Sequence, residues 1–354
     1  MRALSFRRRA VPLAAVAIAA SVAFAGCSSS SSSSAGATST GGSAAPVKVS
    51  ITSFTGSFAS LSVYVADKKG FFTAHGIDPD FINVSSGSAA MQAMLSGSAN
   101  MANVAIFESL TAASQGESVK YIVGAATGAF GELVIGSNVK LPHESEGFPA
   151  VLQDLKGMKI GVSSKGSATY YALVYALEEA GLNPSKDVSI VPAGTLSAQL
   201  TAMKSGQLAG FMSQEPETTL ATSTGAGRVV FYLYQGKRPA LFNSLITNGI
   251  AVTGSYLSAN PQAVKGVHDA VAEADSYIAG LTTAQTTQLA QLVSSDFPGV
   301  SVTVLAQAIQ HYQKLYSGTM TEAGVNAANT LLIKNGVLKQ PVAYSTVVAP
   351  EAQG

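Results

Sequence analysis

Six loops in this chain hold residues that can bind a small solute, and several of them combine glycine with serine or threonine hydroxyls. Each loop follows a short apolar run that predicts a β-strand, and most precede a run that predicts a helix. Glycine lets the backbone approach a ligand closely, and the free N–H groups at a helix start favour an anionic group. The candidate ligand-binding residues are Thr55, Ser57, Phe58, Ser86, Gly87, Ser88, Phe107, Glu108, Phe130, Ser164, Lys165, Gly166, Ser167, Thr169, Gln214 and Glu215.

The charged residues of these loops indicate what kind of solute they would bind. Lys165 is the only basic residue among them, so it is the candidate partner for an acidic group. The alternative interpretation of Lys165 is that it is an ordinary solvated loop lysine. Glu108 and Glu215 would bind an amine or amidine, although Glu215 would equally cap the helix that Pro216 opens.

The uncharged candidates have ordinary structural alternatives. Serines at a helix start are preferred N-caps whether or not they touch a ligand. The three phenylalanines would form the walls of a pocket or lie in the core, as most phenylalanines do. The convergence of loops from two halves of the chain favours ligand binding over capping alone.

The motifs of common enzyme classes are missing from the sequence. It has no Gly-x-Ser-x-Gly nucleophile elbow and no phosphate-binding Gly-x-x-x-x-Gly-Lys motif, and His143-Glu144 has Gly147 where a zinc motif needs histidine. Four scattered histidines and one cysteine predict no metal site and no cofactor. We therefore expect a binding protein and not an enzyme.

The elements that position these loops occur twice along the chain. Gly76-Ile77-Asp78-Pro79 is echoed by Gly181-Leu182-Asn183-Pro184, and Ala93–Gly97 is echoed by Ala202–Gly206 in the same order. Around these anchors each half alternates short strands with helices, which predicts parallel sheets with βαβ crossovers. The repeat therefore predicts two α/β lobes.

The order of the remaining elements predicts how the lobes are joined. Beyond Pro261 the pattern is helical, and these helices are expected to cover the first lobe. The chain then crosses between lobes near residues 136 and 246, giving a two-strand hinge with a ligand cleft. Lobe one is predicted as 47–136 plus 247–354, and lobe two as 137–246.

The first 46 residues predict an exported and anchored protein. Arg2 and Arg7–Arg9 precede the apolar run Val11–Ala25, which suits a signal peptide and is short for a membrane span. Residues 1–26 are predicted as a lipoprotein signal peptide, Cys27 as the lipidated residue and 27–46 as a flexible tether. Without those four arginines the chain has 17 basic and 20 acidic residues, which argues against nucleic-acid binding.

Several linked motifs resemble the nitrate/sulfonate/taurine-type solute-binding proteins of ABC importers, which are related to thiamine-pyrimidine synthases. The resemblance covers about 47–275. The matching segments are Tyr64–Phe72, His75–Asp78, Ser86–Ala90, Ala93–Gly97, Asp154–Val162, Glu178–Leu182, Met203–Gln207 and Gln214–Pro216.

This resemblance implies a type II periplasmic-binding-protein fold that closes on a small, anionic organic solute. It implies delivery to an ABC permease with a cytoplasmic ATPase, by an extracytoplasmic monomer held at the membrane by its lipid. The alternative is an enzyme or a binder of the thiamine-pyrimidine-precursor branch of the same fold, acting on an aminopyrimidine ligand. The predicted cleft loops contain no arginine and the chain contains no tryptophan, which departs from a strongly anion-clamping or aromatic-caged site.

Overall fold

The computed structural model describes residues 45–125 and 128–353. The predicted signal peptide 1–26, the predicted lipidation site Cys27 and nearly all of the predicted tether 27–46 lie outside the described residues.

The strands alternate with helices through most of the chain. The strands are β1 (Val47–Ser53), β2 (Ile77–Asn83), β3 (Met101–Ala105), β4 (Val119–Gly124), β5 (Glu132–Gly136), β6 (Lys159–Val162), β7 (Ser189–Pro192), β8 (Gly210–Ser213), β9 (Gly227–Tyr232) and β10 (Asn248–Thr253). The helices are α1 (Leu61–Lys68), α2 (Phe71–Ala74), α3 (Gly87–Leu95), α4 (Ile106–Ser114), α5 (Ala150–Gln153), α6 (Ala168–Glu179), α7 (Leu196–Lys204), α8 (Glu217–Ser223), α9 (Gly254–Ala259), α10 (Pro261–Ala279), α11 (Thr283–Val293), α12 (Val302–Tyr312), α13 (Glu322–Lys334) and α14 (Tyr344–Val347).

The strands form two five-stranded sheets with the same pattern, β2-β1-β3-β10-β4 and β7-β6-β8-β5-β9. In each sheet the first three strands are parallel, and the fourth position is taken by an antiparallel strand from the other half of the repeat. We call the part built on the first sheet lobe one and the part built on the second sheet lobe two. The two α/β lobes predicted from the repeat are therefore confirmed.

The chain passes between the sheets twice, from β4 to β5 and from β9 to β10. The first crossing comes before Glu132, whereas the sequence analysis placed residues up to 136 in lobe one. β5 pairs with β8 and β9, and its side chains Leu133, Val134 and Ile135 are fully buried. The exact lobe boundaries stay a prediction.

The C-terminal helices complete the packing. Apolar side chains of α10, α11 and α12 share one buried cluster with β1, α1 and β10 of lobe one. Helix α12 also contacts α8, and α13 contacts both α4 and α6, so these two helices reach lobe two as well. No helix within the described part of the chain is long and apolar enough to cross a membrane.

Candidate functional site

A cleft of about 220 Å³ is lined by both lobes. Its walls are the loops that follow the carboxyl ends of the parallel strands, where ligands bind in open α/β sheets. Lobe one contributes Phe54, Thr55, Gly56, Ser57, Ala59, Val84, Ser85, Ser86, Gly87, Ala105, Glu108, Asn248, Pro298 and Val300. Lobe two contributes Ser163, Ser167, Ala168, Thr169, Gly194, Thr195, Ser197, Gln214 and Glu217.

Eight of the sequence-predicted residues lie together in this lining: Thr55, Ser57, Ser86, Gly87, Glu108, Ser167, Thr169 and Gln214. The serines also serve as N-caps, since Ser86 accepts a hydrogen bond from Ala89 N and Ser167 accepts one from Tyr170 N. Thr195, which the sequence analysis missed, caps α7 in the same way. Three helix starts therefore meet at the cleft, and capping and cleft lining are roles of the same residues.

The three predicted phenylalanines lie in the core. Phe58 is fully buried and packs edge-on against Phe297 and Tyr312. Phe130 stacks on Tyr312 with ring centroids 4.6 Å apart, and Phe107 packs against a tyrosine of α6. None of the three is among the residues that line the cleft.

The other predicted residues lie outside the lining. Ser88 is exposed one residue beyond the α3 start, and neither Ser164 nor Gly166 is a lining residue. Lys165 is exposed and borders a separate open groove between α6 and the end of α13, where Glu178 and Lys334 also lie.

Glu108 stands in the first turn of α4 with its carboxyl group held in the cleft wall. Its Oε2 is buried and has no hydrogen-bond partner in the structure. Its Oε1 lies so close to the α3 start that a Cβ on Gly87 would be 2.2 Å from it. Burial raises the pKa of Glu108 to about 7. Gly87 therefore makes room for a carboxyl group of which one oxygen has no hydrogen-bond partner in the structure.

Glu217 is a second carboxyl in the cleft, and the sequence analysis missed it. It begins α8 in lobe two, is 6% exposed, and its Oε2 is buried without a hydrogen-bond partner. Burial, and then the neighbouring Glu215 charge, raise its pKa to about 8. The sequence analysis selected this loop through Gln214-Glu215-Pro216, but the sequence alone does not show whether Glu215 or Glu217 lines the cleft.

A model described as the NMT1-like family matches residues 45–294 of the chain. The protein belongs to the NMT1-like family. It is similar to the putative binding protein YtlA of Bacillus subtilis, with 22% identity over 308 residues that cover 86% of this chain and 88% of YtlA.

Solved structures show the same fold as this NMT1-like protein. The alkanesulfonate-binding protein SsuA of Xanthomonas axonopodis pv. citri, bound to MOPS, superposes with a TM-score of 0.69 at 18% identity over 86% of this chain and 99% of SsuA. The periplasmic nitrate-binding protein NrtA of Synechocystis PCC 6803 gives 0.67 at 14% identity over 86% of each chain. The resemblance to nitrate/sulfonate-type solute-binding proteins and the predicted periplasmic-binding fold are confirmed.

Glu215 of this NMT1-like protein points away from the cleft and links the lobes. Its Oε1 lies 2.8 Å from His311 Nδ1 of α12 and accepts a hydrogen bond from the Thr219 hydroxyl, and its Oε2 accepts one from Thr219 N. The bond to Glu215 raises the pKa of His311. Glu215, which the sequence analysis named as a candidate ligand-binding residue, therefore already has hydrogen-bond partners within the protein.

Two more hydrogen bonds cross between the lobes. Gln214 Nε2 donates to Ser57 Oγ at 2.7 Å at the edge of the cleft. Behind it, the Tyr312 hydroxyl donates to Glu132 Oε2 at 2.9 Å. Burial, and then the Glu215 charge, raise the pKa of Glu132 well above its usual value. The lobes thus meet through polar contacts around the cleft.

Proposed function

We propose that this protein captures a small organic solute between its lobes and delivers it to the permease of an ABC importer. The observation that carries the proposal is the cleft itself, whose lining is divided between the two lobes at the ends of their parallel strands. The names of its relatives support a binding role over catalysis, since YtlA, SsuA and NrtA are each called a binding protein.

Solute capture would work by hinge closure. Because each lobe supplies part of the lining, a solute makes its full set of contacts only when the lobes are together. A ligand shifts a conformational equilibrium by its difference in affinity for the two states. The cross-lobe bond from Gln214 to Ser57 closes the same edge of the cleft and would add to the stability of the closed form.

Anchoring and delivery complete the proposed function. Cys27 would carry the lipid, and the serine-rich segment after it would let the lobes reach the permease, which a cytoplasmic ATPase drives. The protein would act outside the cytoplasm as a monomer. Replacing Cys27 with serine should release it from the membrane fraction, and unchanged membrane association would contradict the anchor.

The solute class has two candidates. SsuA and NrtA are named for alkanesulfonate and nitrate, which supports the anionic solute expected from the resemblance. The aminopyrimidine alternative is supported by Glu108 and Glu217, which line the cleft and each have one carboxyl oxygen without a hydrogen-bond partner. Both are small polar solutes that a cleft of about 220 Å³ can hold.

The experiment that tests the function is a search for saturable binding without turnover. The protein without its first 44 residues is screened by thermal shift against sulfonates, nitrate, amines and aminopyrimidines, because a solute that binds only the native state raises the melting temperature. Solution scattering then compares the bound and unbound forms. Binding with compaction supports the proposal, whereas chemical conversion of the solute, or binding without any effect of Ser57→Tyr in the cleft lining, contradicts it.

A further inference from the structure

Two carboxyl groups border the cleft from opposite lobes, and both contain an oxygen without a partner. Glu108 Oε2 of lobe one and Glu217 Oε2 of lobe two are buried and accept no hydrogen bond. Both residues line the cleft, and Glu217 as a whole is 94% buried. Buried polar groups are nearly always paired in folded proteins, so two such orphans in one cleft point to a missing partner.

No basic side chain within the described part of the chain lines the cleft as that partner. Among the described residues that line the cleft, none is lysine, arginine or histidine. Lys165 borders a different groove, and His311 is engaged by Glu215. Burial, and then the Glu108 charge, raise the pKa of Tyr121 and Tyr171, and neither tyrosine offers a positive charge.

Glu217 likewise has only an acid for a charged neighbour, namely Glu215. An ionised carboxylate that is buried without a counter-charge is strongly unfavourable, whereas a cation with N–H groups restores both its charge balance and its hydrogen bonds. A bound anion could not compensate these carboxylates when they ionise, because it would add a further negative charge to the cleft.

We propose that the solute of this protein carries a protonated nitrogen, an ammonium or amidinium group, which Glu108 of lobe one and Glu217 of lobe two bind together in the closed cleft. The inference rests on the proposed solute-binding function and specifies its ligand. The starts of α3, α6 and α7, which meet at the cleft, would then contact the rest of the solute. A carboxylate from each lobe on one cation also couples binding to closure.

The first experiment uses matched pairs of probes that differ only in the nitrogen. Calorimetry compares benzamidine with benzamide, benzylamine with benzyl alcohol, and taurine with isethionate, the last pair sharing the same sulfonate. We expect the charged-nitrogen member of at least one pair to bind at least tenfold more tightly than its partner. We also expect its affinity to rise from about pH 6 to about pH 8, as Glu108 and Glu217 lose their protons.

The second experiment uses Glu108→Gln and Glu217→Gln with the exposed Glu117→Gln as a matched control. Each cleft variant should weaken binding of the best charged probe about tenfold to a hundredfold, as expected for a lost charge-assisted hydrogen bond. The control should bind like the wild type. The pH profile of the wild type needs no variant, so the inference can be tested even if a substitution disturbs folding.

The inference is overturned if no charged-nitrogen probe exceeds its partner, or if the affinity falls as the pH rises. Tight binding of isethionate or nitrate that survives both glutamine substitutions also overturns it, while leaving the proposed solute capture intact. Tight binding of a probe without lobe closure in solution scattering contradicts the proposed function instead. The two failures are therefore distinguishable.

Discussion

Replacing Glu217 by glutamine should stabilise the unliganded protein, and the gain should grow with pH. Glu217 is 6% exposed and its Oε2 is unpaired, and burial raises its pKa from 4.5 to about 8. Between these two pH values the unfolded chain has lost the proton that the folded protein still binds. Since the folded state then binds more protons than the unfolded state, the free energy of unfolding falls as the pH rises.

The size of this effect follows from the two pKa values. Each tenfold difference in proton affinity corresponds to about 1.4 kcal/mol. The wild type should therefore lose about 2.5 kcal/mol relative to Glu217→Gln between about pH 5 and about pH 7, and change little above about pH 9. Other titrating groups are present in both proteins and cancel in the difference. A loss of this size is a large part of the stability of an ordinary domain.

Urea unfolding of both proteins at a series of pH values measures this difference, with Glu117→Gln as the control because that side chain is exposed. The control should follow the wild type at every pH. A difference between wild type and Glu217→Gln that is constant with pH would refute the account, since an ordinary exposed or paired carboxylate behaves that way. A benzamidine concentration that saturates the cleft should reduce the difference, because the cation compensates the buried charge.

Three further substitutions test the contacts around the cleft. Gly87→Ala places a methyl group 2.2 Å from Glu108 Oε1 and so displaces this carboxyl. Calorimetry should show at least tenfold weaker binding of the charged probe, and unchanged affinity would contradict the place given to this carboxyl. Tyr312→Phe removes the hydroxyl that donates to the buried carboxyl at the start of β5, so urea unfolding should show a loss of about 1–3 kcal/mol, and a loss below about 0.5 would contradict that bond. His311→Asn should destabilise the protein more at about pH 5 than at about pH 8. The pKa of His311 is raised in the folded protein, so its bond to Glu215 stabilises the fold below about pH 6.5 and is lost as the pH rises through the folded pKa. The side chain is half exposed, so the change in the free energy of unfolding should stay below about 1 kcal/mol, and a pH-independent difference in thermal melts would contradict the prediction.

The fold could be predicted because its signals are local. Gly76 and Gly181 both adopt positive φ after a helix, which glycine does at little cost, so the same glycine helix end appears at the same point of each lobe. The helix ends, the alternation of strands and the order of the repeat then follow from short stretches of sequence. The sheet to which β5 belongs could not be predicted from local sequence, because its pairing with β8 and β9 depends on strands far away in the chain.

The cleft loops were predictable to the level of the segment but not of the side chain. Ser167 caps α6 and lines the cleft, whereas Lys165, two residues earlier, is exposed beside another groove. Glu215 and Glu217 differ in the same way: one turns to His311 of α12 and the other borders the cleft. Whether Glu215 or Glu217 borders the cleft depends on α12, a helix about ninety residues further along the chain, and no local sequence pattern reveals that contact.

The position of both carboxyls in the first turn of a helix sharpens the argument about their role. Glu108 stands at the start of α4 and Glu217 at the start of α8, where the helix dipole favours an ionised acid and lowers its pKa. The pKa values of both are nevertheless raised, because desolvation in the cleft wall outweighs the dipole. An acid kept only as a helix cap would gain from remaining solvated. Two acids that each keep one buried oxygen without a partner, on opposite sides of one cleft, are best explained by a cation that binds between them.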